Sequence, residues 1–211
     1  MRQLRGNISA EELQRASSAT SEHLIQYVRS QGRQSISAIA VYAAVGGEIS
    51  LEVFSRWAQS EGKVIAFPVL EPRLDSQLAN QGRRNHGMFL QTWEANANFQ
   101  QGPFKIPEPV GGDRIAFEEC DLVLTPGVAF SRAGERLGRG KGYYDKALSF
   151  LTNTPRPAKT KAIGICHDFQ IIPNVPTTAS DILMDGLASP TGLVWHHDCH
   201  SRQPKQHELA K

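Results

Sequence analysis

An α/β fold with a mostly parallel central sheet and helices on both faces is what this sequence predicts, and three observations predict it. The chain has 211 residues, enough for one substantial core and too few for several independent domains. Residues 35 to 68 read as strand, helix and strand, the unit that builds a parallel pair with a helix across it. Asp121 to Thr125 and Lys161 to Ile165 are further short apolar runs with the length of buried strands.

In chain order, the first helix is expected from Ala10 to about Ser30. Ser9 followed by Glu12 has the spacing of a capping box, and Leu13, Leu24, Ile25 and Val28 supply apolar positions. Ser35 to Val45 reads as a buried strand, Gly46-Gly47 as a turn, and Ser50 to Glu61 as a helix with Leu51, Phe54, Trp57 and Ala58 on one face. Lys63 to Pro68 restores strand character. From Glu71 to Asp113 the sequence is polar and rich in Gly, Asn and Gln, which predicts loops and a sheet edge around one short strand, Met88 to Trp93. The strand Asp121 to Thr125 leads through Pro126-Gly127 into a loop and then a helix, Tyr143 to Leu151. Beyond Val194 charge and histidine replace apolar periodicity, so the expected organisation is one domain over residues 1–194 and a loosely ordered tail over 195–211.

Composition narrows the function classes. Lys and Arg number 23 against 21 Asp and Glu, with no long basic block, so no nucleic-acid partner is expected. The longest apolar stretch, Ile39 to Val45, is far short of the roughly 20 residues a membrane helix needs, and the first residues are unlike a leader peptide. Cys120, Cys166 and Cys199 lie far apart without a C-x-x-C pair, which suits a reducing, cytoplasmic setting. His196, His197, Cys199 and His200 crowd together but lack the frame that orients metal ligands, so no ordered metal site is expected there.

The residues that carry chemistry follow the strand at Asp121, because ligands of open α/β sheets collect beyond the carboxyl ends of the strands. Gly138, Gly140 and Gly142 alternate with Arg139 and Lys141, and Arg136 and Leu137 precede them. Glycines let the backbone approach an anion and aim amide hydrogens at it, while the helix expected at Tyr143 adds its positive end. The spacing is neither that of the Walker loop nor that of the dinucleotide fingerprint. What remains is phosphate binding beside Tyr143, Tyr144 and Asp145, where rings can cover a planar ligand and a carboxylate can meet a phosphate-bridging metal.

Asp121-Leu-Val-Leu-Thr-Pro-Gly-Val-Ala-Phe130, Gly134 and Arg136 to Asp145 closely resemble the signature of 5-formyltetrahydrofolate cyclo-ligases. The resemblance extends to Val41-Tyr42, Gly47-Glu48-Ile49, Phe67-Pro68, Ile106-Pro107-Glu108-Pro109, Ala162 to Ile165, Gln170, Pro176, Asp181 and Asp185, and covers roughly residues 9 to 194. It implies a three-layer α/β domain and an ATP- and Mg2+-dependent reaction that closes 5-formyltetrahydrofolate to 5,10-methenyltetrahydrofolate. By position, Arg136, Leu137, Gly138, Arg139, Gly140, Lys141, Gly142, Tyr143 and Tyr144 resemble the ATP-binding segment. Within it Arg139 to Tyr143 also resemble folate contacts, and Arg139 and Lys141 are the candidate catalytic residues. Asp145 and Asp181 resemble the magnesium ligands, with Asp185 competing for the second place. Glu48 resembles the folate-contacting glutamate and Ala43 a backbone contact.

Many members carry a Lys and an Arg in an upstream helix that reach ATP; this chain begins too late for them, and Arg2 and Arg5, which align with neither, are expected at most to substitute in part and stay outside the candidate site. The expected partners are small molecules, reduced folate and ATP, with the chain a monomer. Two rival readings stay open: a sugar-phosphate isomerase or acyl-transfer enzyme on a related fold, and a non-catalytic folate or nucleotide binder. The first would need a general base near the loop, and no His accompanies Arg136 to Asp145.

Overall fold

The structure is a computed structural model that describes residues 1–32, 34–73, 85–153, 159–178 and 181–196. A short helix, α1 (Arg2–Gly6), precedes α2 (Ala10–Ser30). The capping box forms as the spacing implies: Ser9 Oγ accepts from the Glu12 amide at 3.2 Å, and Glu12 Oε2 accepts from the Ser9 amide at 3.0 Å. Then follow β1 (Ala38–Ala40), α3 (Glu52–Ser60), β2 (Val64–Arg73), β3 (Asn85–Trp93), β4 (Phe99–Gln101), β5 (Pro107–Pro109) and β6 (Arg114–Ile115). The second half supplies β7 (Leu122–Pro126), β8 (Ala129–Phe130), β9 (Arg136–Leu137), α4 (Tyr143–Ala147), α5 (Phe150–Asn153), β10 (Lys161–Ile165), β11 (Gly186–Ser189) and β12 (Gly192–Trp195).

Among the described residues the main sheet has eight strands in the order β12-β11-β10-β7-β1-β2-β3-β6. The five from β11 to β2 are parallel, and β12, β3 and β6 add antiparallel edges. The polar middle of the chain therefore does furnish a sheet edge. Alternate residues of the central strands serve two cores, as the period of two requires. Ile39, Ile65, Leu122, Leu124 and Ile163 meet α2 and α3 through Leu24, Val28, Phe54 and Ala58. Ala40, Ala66, Val123 and Ala162 face the other way, against Phe117, Phe130, Leu148 and Leu151. Long helices cover the first face, whereas short helices and loops cover the second.

Several elements differ from expectation. β2 runs on to Arg73 rather than ending at Pro68, and the stretch expected to hold the single strand Met88 to Trp93 holds β3 from Asn85 together with β4 and β5, with β6 directly after it, because backbone pairing with β2 and between short extended segments needs no apolar run. The strand expected over Ser35 to Val45 keeps only Ala38–Ala40 on its ladder. Val41 still donates to the Ala66 carbonyl at 2.9 Å, and then the chain leaves the sheet, with the Tyr42 hydroxyl donating to the Ile49 carbonyl at 2.7 Å across the intervening loop. An apolar run marks burial, and these residues are buried against the end of the sheet rather than within it. The helix expected over Tyr143 to Leu151 is broken into α4 and α5, because Ser149, Leu151 and Thr152 donate to carbonyls three residues back. That tighter turn aligns positions three apart and puts both Leu148 and Leu151 into the core.

Asp121 joins β7 to β1. Its Oδ2 accepts from the amides of Ser37 at 2.6 Å and Ala38 at 3.2 Å, and Oδ1 pairs with Lys159. Burial works to raise its pKa, but Lys159 and the two amides together outweigh burial and hold it below the ordinary carboxylate value. A carboxyl whose pKa is depressed on folding stabilises the fold above its unfolded pKa, about 3.9, and loses that contribution as pH falls through the folded value. Asp121→Asn should therefore cost about 1–2 kcal/mol at pH 7. In urea melts at descending pH, the gap between parent and variant should close below about pH 4; a constant gap would show that charge plays no part.

Candidate active site

A cavity of about 530 Å3 opens at the carboxyl ends of the parallel strands. All the residues singled out from the sequence for ligand or metal contact, Ala43, Glu48, Arg136 to Tyr144, Asp145 and Asp181, line this one cavity. Ala43 and Glu48 arrive on the loop that leaves β1, the glycine-rich segment on β9 and the turn into α4, and Asp181 on the approach to β11.

The segment 136–145 keeps its cations distinct. Arg136 is buried and donates through Nη2 to Asp145 Oδ1 at 2.8 Å, through Nη1 to the Pro126 carbonyl at 3.4 Å, and lies over the Tyr144 ring. Arg139 is partly exposed and donates to Glu48 Oε1 at 2.7 Å. Lys141 has no carboxylate partner among the described residues; its Nζ lies 5.9 Å from the centre of the Phe104 ring. Two of the three positive charges are thus already compensated, and Lys141 is the one held ready for an added anion. Gly140 and Gly142 take φ values of 76° and 64°, which bend the backbone around the space in front of Lys141. Because α4 spans five residues rather than the expected helix, its dipole is small. Anion binding here rests on loop amides and side-chain charge.

Glu48 is the most heavily used carboxylate of the site. Oε1 accepts from Arg139 and from Arg5 Nη1 at 3.3 Å, and Oε2 accepts from the Val45 amide at 3.1 Å. Arg5 was not a sequence candidate. It is 4% exposed, contributed by α1, and also reaches the Gly127 carbonyl at 3.4 Å. Nothing in the periodicity of the first eight residues distinguishes it from a surface arginine. The loops around Glu48 are braced from behind: His167 Nε2 lies 2.9 Å from the Gly47 carbonyl, and Gln170 Nε2 donates to the carbonyls of Gly127 and Val128, each at 2.9 Å.

Of the acidic candidates, Asp145 and Asp181 face the cavity and Asp185 does not. Asp181 Oδ2 accepts from the Thr178 amide at 2.6 Å. Asp185 is buried, accepts from the Ala162 amide at 2.7 Å and stands 3.7 Å from Lys161 Nζ, so it ties β10 to the approach of β11. Burial raises the pKa of the Tyr144 and Tyr143 phenols, which keeps both neutral at physiological pH, and pushes Cys120 and Cys166 up to about 12, which keeps both thiols protonated. Neither tyrosine supplies a base of the kind an isomerase needs. His196 continues from β12 with its imidazole pKa lowered by burial; its expected companions His197, Cys199 and His200 lie outside the described residues, as does most of the 195–211 tail.

Much of the rest of the cavity comes from residues to which the sequence attached no role, among them Pro68 and Leu70 of β2, Met88 of β3, and Phe104, Ile106 and Glu108. Phe104 takes φ 58°, and its ring centre lies 6.4 Å from that of Tyr143, so an apolar wall abuts the charged loop.

The chain is similar to known proteins along most of its length. The sequence model of the 5-formyltetrahydrofolate cyclo-ligase family matches residues 1–190. A probable 5-formyltetrahydrofolate cyclo-ligase of Caenorhabditis elegans is 32% identical over 195 residues, 88% of this chain and 86% of that protein. The 5-formyltetrahydrofolate cyclo-ligase of Escherichia coli K12 is 28% identical over 159 residues, 74% of this chain and 79% of that protein. Among solved structures, the 5,10-methenyltetrahydrofolate synthetase of Aquifex aeolicus superposes with a TM-score of 0.68 at 28% identity, covering 100% of this chain and 95% of that one.

Proposed function

The chain belongs to the 5-formyltetrahydrofolate cyclo-ligase family, and from that premise we propose that it converts 5-formyltetrahydrofolate to 5,10-methenyltetrahydrofolate at the expense of ATP. The observation that carries the reading is the convergence of Glu48, the 136–144 loop, Asp145 and Asp181 on one cavity that is charged along the loop and apolar opposite it. A reduced folate and a triphosphate make those two demands of a single site.

In the reaction the formyl oxygen on N5 attacks the γ-phosphorus of ATP, and ADP leaves. N10 then adds to the activated formyl carbon, gives up its proton, and the carbon–oxygen bond breaks to release phosphate and leave the methenyl bridge. Phosphoryl transfer of this kind is catalysed by positioning and by charge held where it develops. Lys141, uncompensated, fits the transferring phosphoryl group, and Arg139 can serve it when drawn off Glu48. The apolar lining residues Leu70, Met88, Phe104 and Ile106, covered by bound substrate, would shield the activated carbon from water, which would hydrolyse it back to the formyl compound.

Asp145 and Asp181 fit a magnesium ion. Each spends one oxygen on a protein donor, and the other carries no hydrogen bond among the described residues. Those residues hold no converging group of three His, Cys, Asp or Glu side chains, but magnesium commonly takes one or two carboxylates together with substrate phosphates and water. Bound there, it would neutralise phosphate charge. Asp145→Asn keeps an acceptor for Arg136 while removing the anionic ligand, so the magnesium concentration for half-maximal rate should rise by about tenfold or more. An identical magnesium titration would remove Asp145 from this role.

The reading also extends to a cytoplasmic setting, supported by buried, free Cys120 and Cys166, and to a monomer. Among the described residues no helix is long and apolar enough to cross a membrane. Purified protein mixed with 5-formyltetrahydrofolate, ATP and magnesium should yield the ultraviolet absorbance of the methenyl product together with equimolar ADP. Ligand binding without either product would identify a non-catalytic binder instead.

A further inference from the structure

Glu108 is 4% exposed and lines the cavity. It stands among apolar neighbours: of the lining residues from β2, β3 and the 104–108 segment, Pro68, Leu70, Met88, Phe104 and Ile106 carry no charge. Its Oε1 accepts from the Leu70 amide at 2.9 Å. No cationic partner for it and no hydrogen bond to Oε2 occurs among the described residues, although Oε2 is not sealed away from the cavity space. Room for the carboxylate is made by Gly102, where a Cβ would come within 2.2 Å of Glu108 Cδ. A buried, unpaired carboxylate is costly to keep unless something binds it.

Glu48 gives the contrast. A carboxylate offers about four lone pairs. Arg5, Arg139 and the Val45 amide already take three of those on Glu48, whereas the Leu70 amide takes one on Glu108. Of these two carboxylates Glu108 therefore keeps the more acceptor capacity for a ligand, and it lines the cavity together with the apolar Leu70, Met88, Phe104 and Ile106. The folate ring system carries two adjacent donors, the ring N3–H and the 2-amino group, which suit a carboxylate that accepts from both.

We infer that Glu108 is a specificity-determining residue that accepts hydrogen bonds from the amino-amide edge of the reduced pterin, beside Glu48, whose carboxylate is shared with Arg5 and Arg139. This rests on the folate reading of the same cavity. It places the ring against Phe104, Ile106, Leu70 and Met88, with its formyl group toward Lys141.

The test is Glu108→Gln, which keeps a carbonyl oxygen for the Leu70 amide while removing the charge and one acceptor. Affinity for 5-formyltetrahydrofolate, titrated calorimetrically, should fall by about 10- to 100-fold, as for a hydrogen bond to a charged group, with ATP affinity and melting temperature near those of the parent. A 2-desamino folate analogue should bind the parent weakly and lose far less on going to the variant. Unchanged folate affinity overturns the inference. So does an equal loss for folate and its desamino analogue, or a joint loss of folate and ATP binding with a lowered melting temperature, each of which assigns Glu108 to structure alone. Parent protein that makes no methenyl product would instead overturn the proposed reaction, an outcome the binding titrations distinguish.

Discussion

Lys141→Ala should lower kcat/KM by about a hundredfold or more, the loss expected when charge aimed at a transition state is removed. The expectation follows from the pairing within the loop. Arg136 is neutralised by Asp145 at 2.8 Å and Arg139 by Glu48 at 2.7 Å, which leaves Lys141 as the loop cation without a carboxylate among the described residues. Its side chain is exposed and has no carboxylate partner among the described residues, so its loss should leave stability nearly unchanged. Steady-state rates across ATP concentrations would show kcat falling rather than KM alone rising. A rate within a factor of about three of the parent would remove Lys141 from the chemistry.

Glu48→Ala should cost about 3–5 kcal/mol of stability, because it strands the Arg5 guanidinium, 4% exposed, without a counter-charge. For a chain of this size that is a fall of roughly 6–20 °C in melting temperature. Replacing both partners, as Arg5→Leu with Glu48→Leu, should recover much of the loss, since two apolar groups leave no buried charge. Urea unfolding of Arg5→Leu, Glu48→Leu and the double variant closes the cycle. A Glu48→Ala cost below about 1 kcal/mol would mean that water reaches Arg5 and relieves it.

The sequence was most legible where one local rule decides. Ser9 and Glu12 form the capping box that their spacing announces, and Lys161–Ile165 is a strand at the expected residues, because a run buried on both faces has no competing periodicity. It was less legible where tertiary contacts chose between local options. Val41 and Tyr42 are as apolar as Ile39, yet the first strand ends at Ala40 because the chain must turn to bring Glu48 to the cavity. The helix after the glycine-rich loop breaks so that two leucines three apart can share one core. In the site, charge and glycine spacing pointed to the loop, and family resemblance pointed to Glu48 and Asp181. Arg5 carried no such mark, and Glu108 fell inside the resemblance without a role. One is a lone arginine in a five-residue helix and the other an acid between two prolines, and only folding reveals that both are buried beside the same cavity.

Glu48 Oε1 is shared by guanidinium groups far apart in the sequence, one fixed on α1 and the other on the glycine-rich loop. An anion that draws Arg139 away leaves Glu48 with one guanidinium partner and a freed lone pair. The carboxylate's hold on anything in the folate half then strengthens. Linkage requires the converse by the same factor: a ligand that occupies Glu48 loosens Arg139 and tightens the grip on phosphate. Nucleotide and folate should accordingly bind with positive heterotropic cooperativity, the two affinities rising together whichever arrives first.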